Sequence, residues 1–108
     1  MRLFGLKTCD TTRAALRALR AAGKDPVVID IRDDGVTPAD QAAMLAAIGF
    51  GIINRASTTW RGLPEAERAR DAADLLARYP TLMKRPVIED AGKFWLGWDD
   101  AVQIALAV

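Results

Sequence analysis

Three short stretches at the start of the chain leave little freedom in how it can begin to fold. Arg2 to Leu6 is mostly apolar and Val27 to Ile31 reads Val-Val-Ile-Asp-Ile, so both predict short strands. Between them, Thr11 to Ala22 sets Ala14, Ala15, Leu16, Ala18, Leu19 and Ala22 on one helical face, and Gly23 supplies a stop. A strand, a helix and a strand in this order predict a right-handed parallel crossover.

The remainder extends that unit without repeating it. Gly35-Val36-Thr37-Pro38 predicts a turn, then a helix with Thr37 as N-cap and Pro38 at its first position, running to about Ile48 before Gly49 and Gly51 break it. Asn54 to Leu63 reads as a loop, and Pro64 to Tyr79 as one charged amphipathic helix that Pro80 ends. Val87 to Glu89 and Lys93 to Gly97 predict a hairpin across Asp90-Ala91-Gly92, and Asp99 opens a last helix, Asp100 to Ala107. The order βαβ, helical middle, ββα predicts an α/β domain with a mixed sheet, as in thioredoxin-like folds carrying a helical insertion over about 38–80.

A chain of 108 residues has room for one domain and one modest core, so any site must be built from this unit. With 51% hydrophobic and 27% charged residues it has the composition of an ordinary globular protein. Its formal net charge of +1 gives no general attraction to nucleic acid or to an anionic membrane, so anion binding would need a local cluster of arginines. Met1 to Asp10 has no signal-peptide pattern and no apolar run reaches spanning length, which makes the cytoplasm the expected location. One cysteine and no histidine exclude an internal disulfide, zinc sites of the Cys/His type, Cys-His pairs and Ser-His-Asp triads.

What remains for chemistry is chiefly Cys9, between a predicted strand and a predicted helix. There the free N–H groups of the first turn and the positive end of the helix dipole favour a thiolate, the nucleophilic form, and Arg13 one turn on would add to the effect. The competing reading is a small buried hydrophobe, against which stand the polar neighbours Thr8, Asp10, Thr11 and Thr12. Thr12 occupies the place of the second cysteine in a C-x-x-C pair; its hydroxyl can hydrogen-bond a thiolate but cannot resolve a disulfide, and Asp10, Thr11 and Thr12 also read simply as capping residues. Asn54, Arg55, Ser57, Thr58, Thr59 and Arg61 form a set of donors suited to an oxyanion or carboxylate, or else a solvated loop, with Trp60 as a wall or as packing. Arg85-Pro86 precedes an apolar strand, and on spacing alone its peptide bond is expected to be trans. The pairs Asp33-Asp34 and Asp99-Asp100 read as caps.

Taken together, Gly5-Leu6-Lys7-Thr8-Cys9-Asp10-Thr11-Thr12-Arg13, Asn54-Arg55-Ala56-Ser57-Thr58-Thr59-Trp60-Arg61 and Tyr79-Pro80-Thr81-Leu82-Met83-Lys84-Arg85-Pro86 resemble the arsenate reductase-like family of thioredoxin-fold proteins, and most nearly its YffB-type branch. The resemblance implies Cys9 as the nucleophile, Pro86 as a cis-proline facing it, and Arg55 and Arg85 as holders of an anion, with Thr12 and Arg13 matching the Ser-Arg that follows the reductase cysteine. Two departures stand out. The third arginine of the arsenate reductases has no counterpart in Phe94-Trp95-Leu96-Gly97-Trp98, and Lys7-Thr8 replaces Asn-Pro before the cysteine.

The departures point away from arsenate, and the resemblance to the YffB-type branch implies a glutathione-dependent thiol reductase acting on a disulfide, a glutathione mixed disulfide or a small oxidised or oxyanion substrate. Cys9 would be catalytic, with Thr11, Thr12, Arg13, Arg55, Arg85 and Pro86 binding substrate or glutathione. No metal or bound cofactor is expected; glutathione is the co-substrate and glutathione or a glutaredoxin the resolving partner. A monomer without direct nucleic-acid or membrane contact is expected. The alternatives are an Spx-like regulatory module contacting RNA polymerase, whose C-x-x-C switch Thr12 removes, and an arsenate reductase proper.

Overall fold

The computed structural model describes residues 1–108. Its sheet has four strands in the order β2-β1-β3-β4: β1 (Arg2–Gly5), β2 (Val27–Asp30), β3 (Val87–Asp90) and β4 (Lys93–Leu96). β1 runs parallel to β2 and antiparallel to β3, and β3 and β4 form an antiparallel hairpin. This is the mixed, thioredoxin-like sheet that the element order predicts. The crossover helix is α1 (Asp10–Ala21), followed by Gly23 at φ +82°. α2 (Pro38–Ile48) starts as expected, with the Thr37 hydroxyl accepting from Asp40 N at 3.1 Å.

Alternation along the strands divides the core in two. Leu3 and Ile88 are register partners and face Ala15 and Leu19 of α1 together with Val102 and Leu106 at the C-terminal helix α6 (Asp100–Ala105). The next register pair, Phe4 and Val87, faces the opposite way, into a larger cluster with Met44, Ile52, Leu75, Leu82 and Met83 from the segment between β2 and β3. The central strands are therefore buried on both faces and read in sequence as apolar runs. On the sheet's rim Arg2 ties three elements together, donating to Glu89 of β3 at 2.8 Å and Asp40 of α2 at 2.9 Å.

Two elements of the middle segment differ from expectation. The loop 54–63 contains a single helical turn, α3 (Thr58–Arg61), because Ser57 caps it by accepting from Trp60 N at 3.1 Å. The helix predicted over 64–79 is two, α4 (Glu65–Arg68) and α5 (Ala72–Arg78). Asp71 makes the break: its carboxylate accepts from Asp74 N at 2.9 Å and starts a new helix rather than continuing the old one. Burial supports the division, since α5 buries Leu75 and Leu76 and α4 buries nothing. Pro80 ends α5 as expected but itself opens a 3-10 turn, Pro80–Leu82. The last helix stops at Ala105, short of the predicted Ala107, whose φ is +58°.

Two contacts hold the first loop in place. A Cβ on Gly5 would lie 2.4 Å from Thr12 Cγ2 and 2.5 Å from its Oγ1, so α1 approaches the end of β1 as closely as a glycine permits. Buried Asp30, at the end of β2, accepts from Asp33 N at 2.8 Å, Arg32 N at 2.9 Å and Lys7 N at 3.2 Å. Its pKa is held low, first by the Asp33 N–H and then by those of Lys7 and Arg32, against the upward push of burial.

Gly5→Ala is expected to lower stability by about 1–3 kcal/mol in urea unfolding, as overpacking does, and adding Thr12→Ala, which removes the two nearest atoms, to recover part of the loss. A carboxylate with a lowered folded-state pKa stabilises above its unfolded pKa and loses that contribution as pH falls through the folded value. The stability gap between the native chain and Asp30→Asn should therefore be widest near neutrality and narrow below about pH 4, as read by denaturation at a series of pH values.

Candidate active site

Cys9 is itself the N-cap of α1, with φ −85° and ψ 120°, and makes no side-chain capping bond. This corrects the reading of Asp10 as a cap: Asp10 is the first helical residue, and its exposed carboxylate accepts from Arg13 Nη2 at 2.5 Å. The backbone around the cysteine is fixed, Cys9 N donating to Leu6 O and Arg13 N to Cys9 O, each at 3.0 Å. The thiol is half-buried, packed at the margin of the larger core cluster but not inside it.

Burial pushes the thiol pKa up, the largest single influence, and hydrogen bonds outweigh it. The Thr12 hydroxyl, the Thr12 N–H, the Arg85 side chain and the Thr11 N–H all favour the thiolate, so the pKa lies below the ordinary cysteine value. Thr12 is buried, and its Oγ1 also accepts from Leu6 N at 3.5 Å, which orients the hydroxyl beneath the loop. Arg85 has Nη1 on the carbonyls of Thr81 (2.8 Å) and Met83 (3.3 Å), while its buried Nε has no hydrogen-bond partner. A guanidinium anchored at one edge and unpaired at another suits an anion.

The Arg85–Pro86 peptide is cis, as the family resemblance implies and contrary to the trans bond expected from spacing alone. Pro86 is buried, and its carbonyl accepts from Gly97 N at 2.8 Å, which draws the end of β4 toward the cysteine. The cleft so formed has a volume of about 490 Å³ and is lined by Cys9, Thr11, Asn54, Lys84, Arg85, Leu96 and Gly97. That is ligand-sized.

Of the residues singled out in the sequence, Cys9, Thr11, Asn54 and Arg85 line this cleft; Thr12 is buried under the cysteine loop, and Pro86 is buried and bonded to the lining residue Gly97. Arg13 does not line it: it turns outward to Asp10, beside Ala14 and Arg17. Arg55 also lies outside the lining of the cysteine cleft, in an adjoining one of about 570 Å³ lined by Phe50, Gly51, Ile53, Asn54, Arg55, Ala56 and Lys84. Its guanidinium lies over the Phe50 ring at 4.5 Å, with the Trp60 ring at 5.9 Å. Trp60 is a packing wall rather than part of either lining, with the guanidinium groups of Arg55 and Arg68 each 5.9 Å from its ring. Ser57 is used as a cap, and the Arg61 carbonyl accepts from Arg68.

Lys84 and Asn54 are both in the lining, as are Leu96 and Gly97, and of these four only Asn54 is named as a candidate from the sequence, among the donors of the middle loop. A short antiparallel pairing explains the first two. Ile53 bridges Met83, Asn54 N donates to Leu82 O at 2.7 Å, and Lys84 N donates to Ile52 O at 2.8 Å. Segments some thirty positions apart in sequence are thereby zipped together, and Lys84 borders both clefts. The only sequence signal for Lys84 was its place before Arg85-Pro86.

The rate of Cys9 alkylation against pH should show an inflection below that of a free thiol. Thr12→Val and Arg85→Ala should each move it upward, by about half a unit to one unit for the loss of one hydrogen bond to the charged form.

A model of the ArsC family matches residues 4–104. An uncharacterized protein of Haemophilus influenzae is 33% identical over 103 residues, which cover 91% of this chain and 90% of that protein. The solved structure of a YffB protein is 31% identical with a TM-score of 0.89, covering 98% of this chain and 97% of its own. The solution structure of an arsenate reductase related protein from Brucella melitensis is 33% identical with a TM-score of 0.74, covering 97% and 93% respectively.

Proposed function

The chain belongs to the ArsC family of arsenate reductase-related proteins, and from that membership we propose that it is a glutathione-dependent reductase working through the single thiol of Cys9. The observation that carries the reading is a half-buried thiol at a helix N-cap, its pKa lowered by Thr12, Arg85 and Thr11 at the mouth of a ligand-sized cleft.

The chemistry fits a chain with one cysteine. The Cys9 thiolate attacks one sulfur of a glutathione mixed disulfide; a new sulfur–sulfur bond forms to the glutathionyl half as the old one breaks, and the other sulfur leaves as a thiolate and takes a proton from water. The thiolate of a second glutathione then attacks the glutathionyl sulfur, regenerating the Cys9 thiolate and releasing glutathione disulfide. Substrate is reduced by two electrons and two glutathiones are joined; Cys9 ends as it began. A glutaredoxin thiol would serve equally in the second step. Arg85 holds the reacting end through its anchored guanidinium, and the main chain of Arg85, which makes no backbone hydrogen bond, would pair with the glutathione peptide.

Arsenate is the less favoured substrate. Where a third guanidinium would be needed, β4 and the turn after it bring uncharged Leu96 and Gly97 to the cleft. The cytoplasm, where glutathione keeps thiols reduced, suits this reading, and no helix is long and apolar enough to cross a membrane.

Incubation with glutathione disulfide should give a mass adduct on Cys9 that free glutathione removes. Cys9→Ser should reduce a mixed disulfide no faster than the uncatalysed reaction. No adduct, or a Cys9 pKa at or above that of a free thiol, would contradict the reading.

A further inference from the structure

The two adjoining clefts are electrostatically one-sided. Every charged residue lining them, Arg55, Lys84 and Arg85, is a cation, in a chain whose net charge is only +1. None of the three is in an ion pair, although elsewhere Arg2, Lys7, Arg13, Arg20 and Arg70 each meet a carboxylate. Unpaired cations are usually scattered over a surface; these are gathered by the Ile53–Met83 bridge. Arg55 is further held over the Phe50 ring at 4.5 Å, which restricts its guanidinium before anything binds.

Resting on the reading of Cys9 as the nucleophile, we propose that the two clefts are one substrate groove, in which Lys84 and Arg55 recognise a carboxylate carried by the substrate away from its reacting sulfur. The groove thus selects disulfides of carboxylate-bearing thiols over neutral or cationic ones. Lys84 is the specificity-determining residue, because it alone among the cations borders both clefts. It is exposed, with its main chain fixed through the bond to Ile52 O, so its side chain can be changed without disturbing the core.

The test uses the full chain and the second-order rate of Cys9 with three disulfides: glutathione disulfide, which carries net negative charge, neutral 2-hydroxyethyl disulfide and cationic cystamine. The ratio of the glutathione disulfide rate to the 2-hydroxyethyl disulfide rate should fall about fivefold in Lys84→Glu, as expected for reversing one exposed charge, and be retained in Lys84→Arg. The preference over cystamine should shrink as ionic strength rises to about 1 M, where screening acts within roughly 3 Å. If Cys9 reacts with all three disulfides but the ratio is the same in Lys84→Glu and the native chain, the selectivity proposal is overturned and the thiol chemistry stands. If Cys9 reacts with none of them, both fall together.

Discussion

Gly5 and Thr12 meet at the point where the first strand hands over to the first helix, and the position of the reactive thiol depends on that contact. No side chain larger than hydrogen fits on Gly5 without displacing Thr12, so α1 starts almost on top of the end of β1. Thr12 is consequently buried, and its hydroxyl, held by the Leu6 N–H, favours the Cys9 thiolate. A cysteine at this position in the chain would have little reason to ionise if the helix stood farther off. Asp30 supports the same loop by accepting from Lys7 N, so that β1 and β2 together fix the turn that the Cys9 N to Leu6 O bond closes.

A second constraint acts from the helical segment between β2 and β3. The pairing of Ile52–Asn54 with Leu82–Lys84 is short, yet it closes the cleft by setting Asn54 and Lys84 beside Arg85. Both partner stretches bury apolar side chains, Ile52 and Ile53 against Leu82 and Met83, in the same cluster that covers one face of the sheet. Core packing and cleft formation are thus the same event here. The helical insertion provides a lid over Phe4 and Val87 and presents its polar edge to the cysteine.

The fold was legible because its signals are local. The β-branched run at Val27 to Ile31, the alanine- and leucine-rich face of α1 and the Thr37-Pro38 start of α2 each act through residues within one element. The misjudged pieces were decided by short polar side chains competing with the helix ladder: Ser57 starts a turn inside a predicted loop, and Asp71 divides a predicted helix. Capping of that kind depends on which of several Ser, Thr and Asp side chains reaches a free N–H, a choice the periodicity of apolar residues does not record. Asp10 shows the same ambiguity, since Cys9 and not its acidic neighbour holds the cap position.

Sequence alone determined that this protein has one thiol and no internal partner for it, and that the thiol stands between a strand and a helix; both follow from inventory and from patterns a few residues long. Tertiary structure decided which arginines share space with that thiol. Arg13, four residues from Cys9, turns away to Asp10, whereas Arg85, far along the chain, lines the same cleft as the thiol, and Arg55 sits one cleft over on Phe50. Side-chain direction on a helix and the pairing of distant segments set these outcomes, and neither is written in the spacing of residues along the chain.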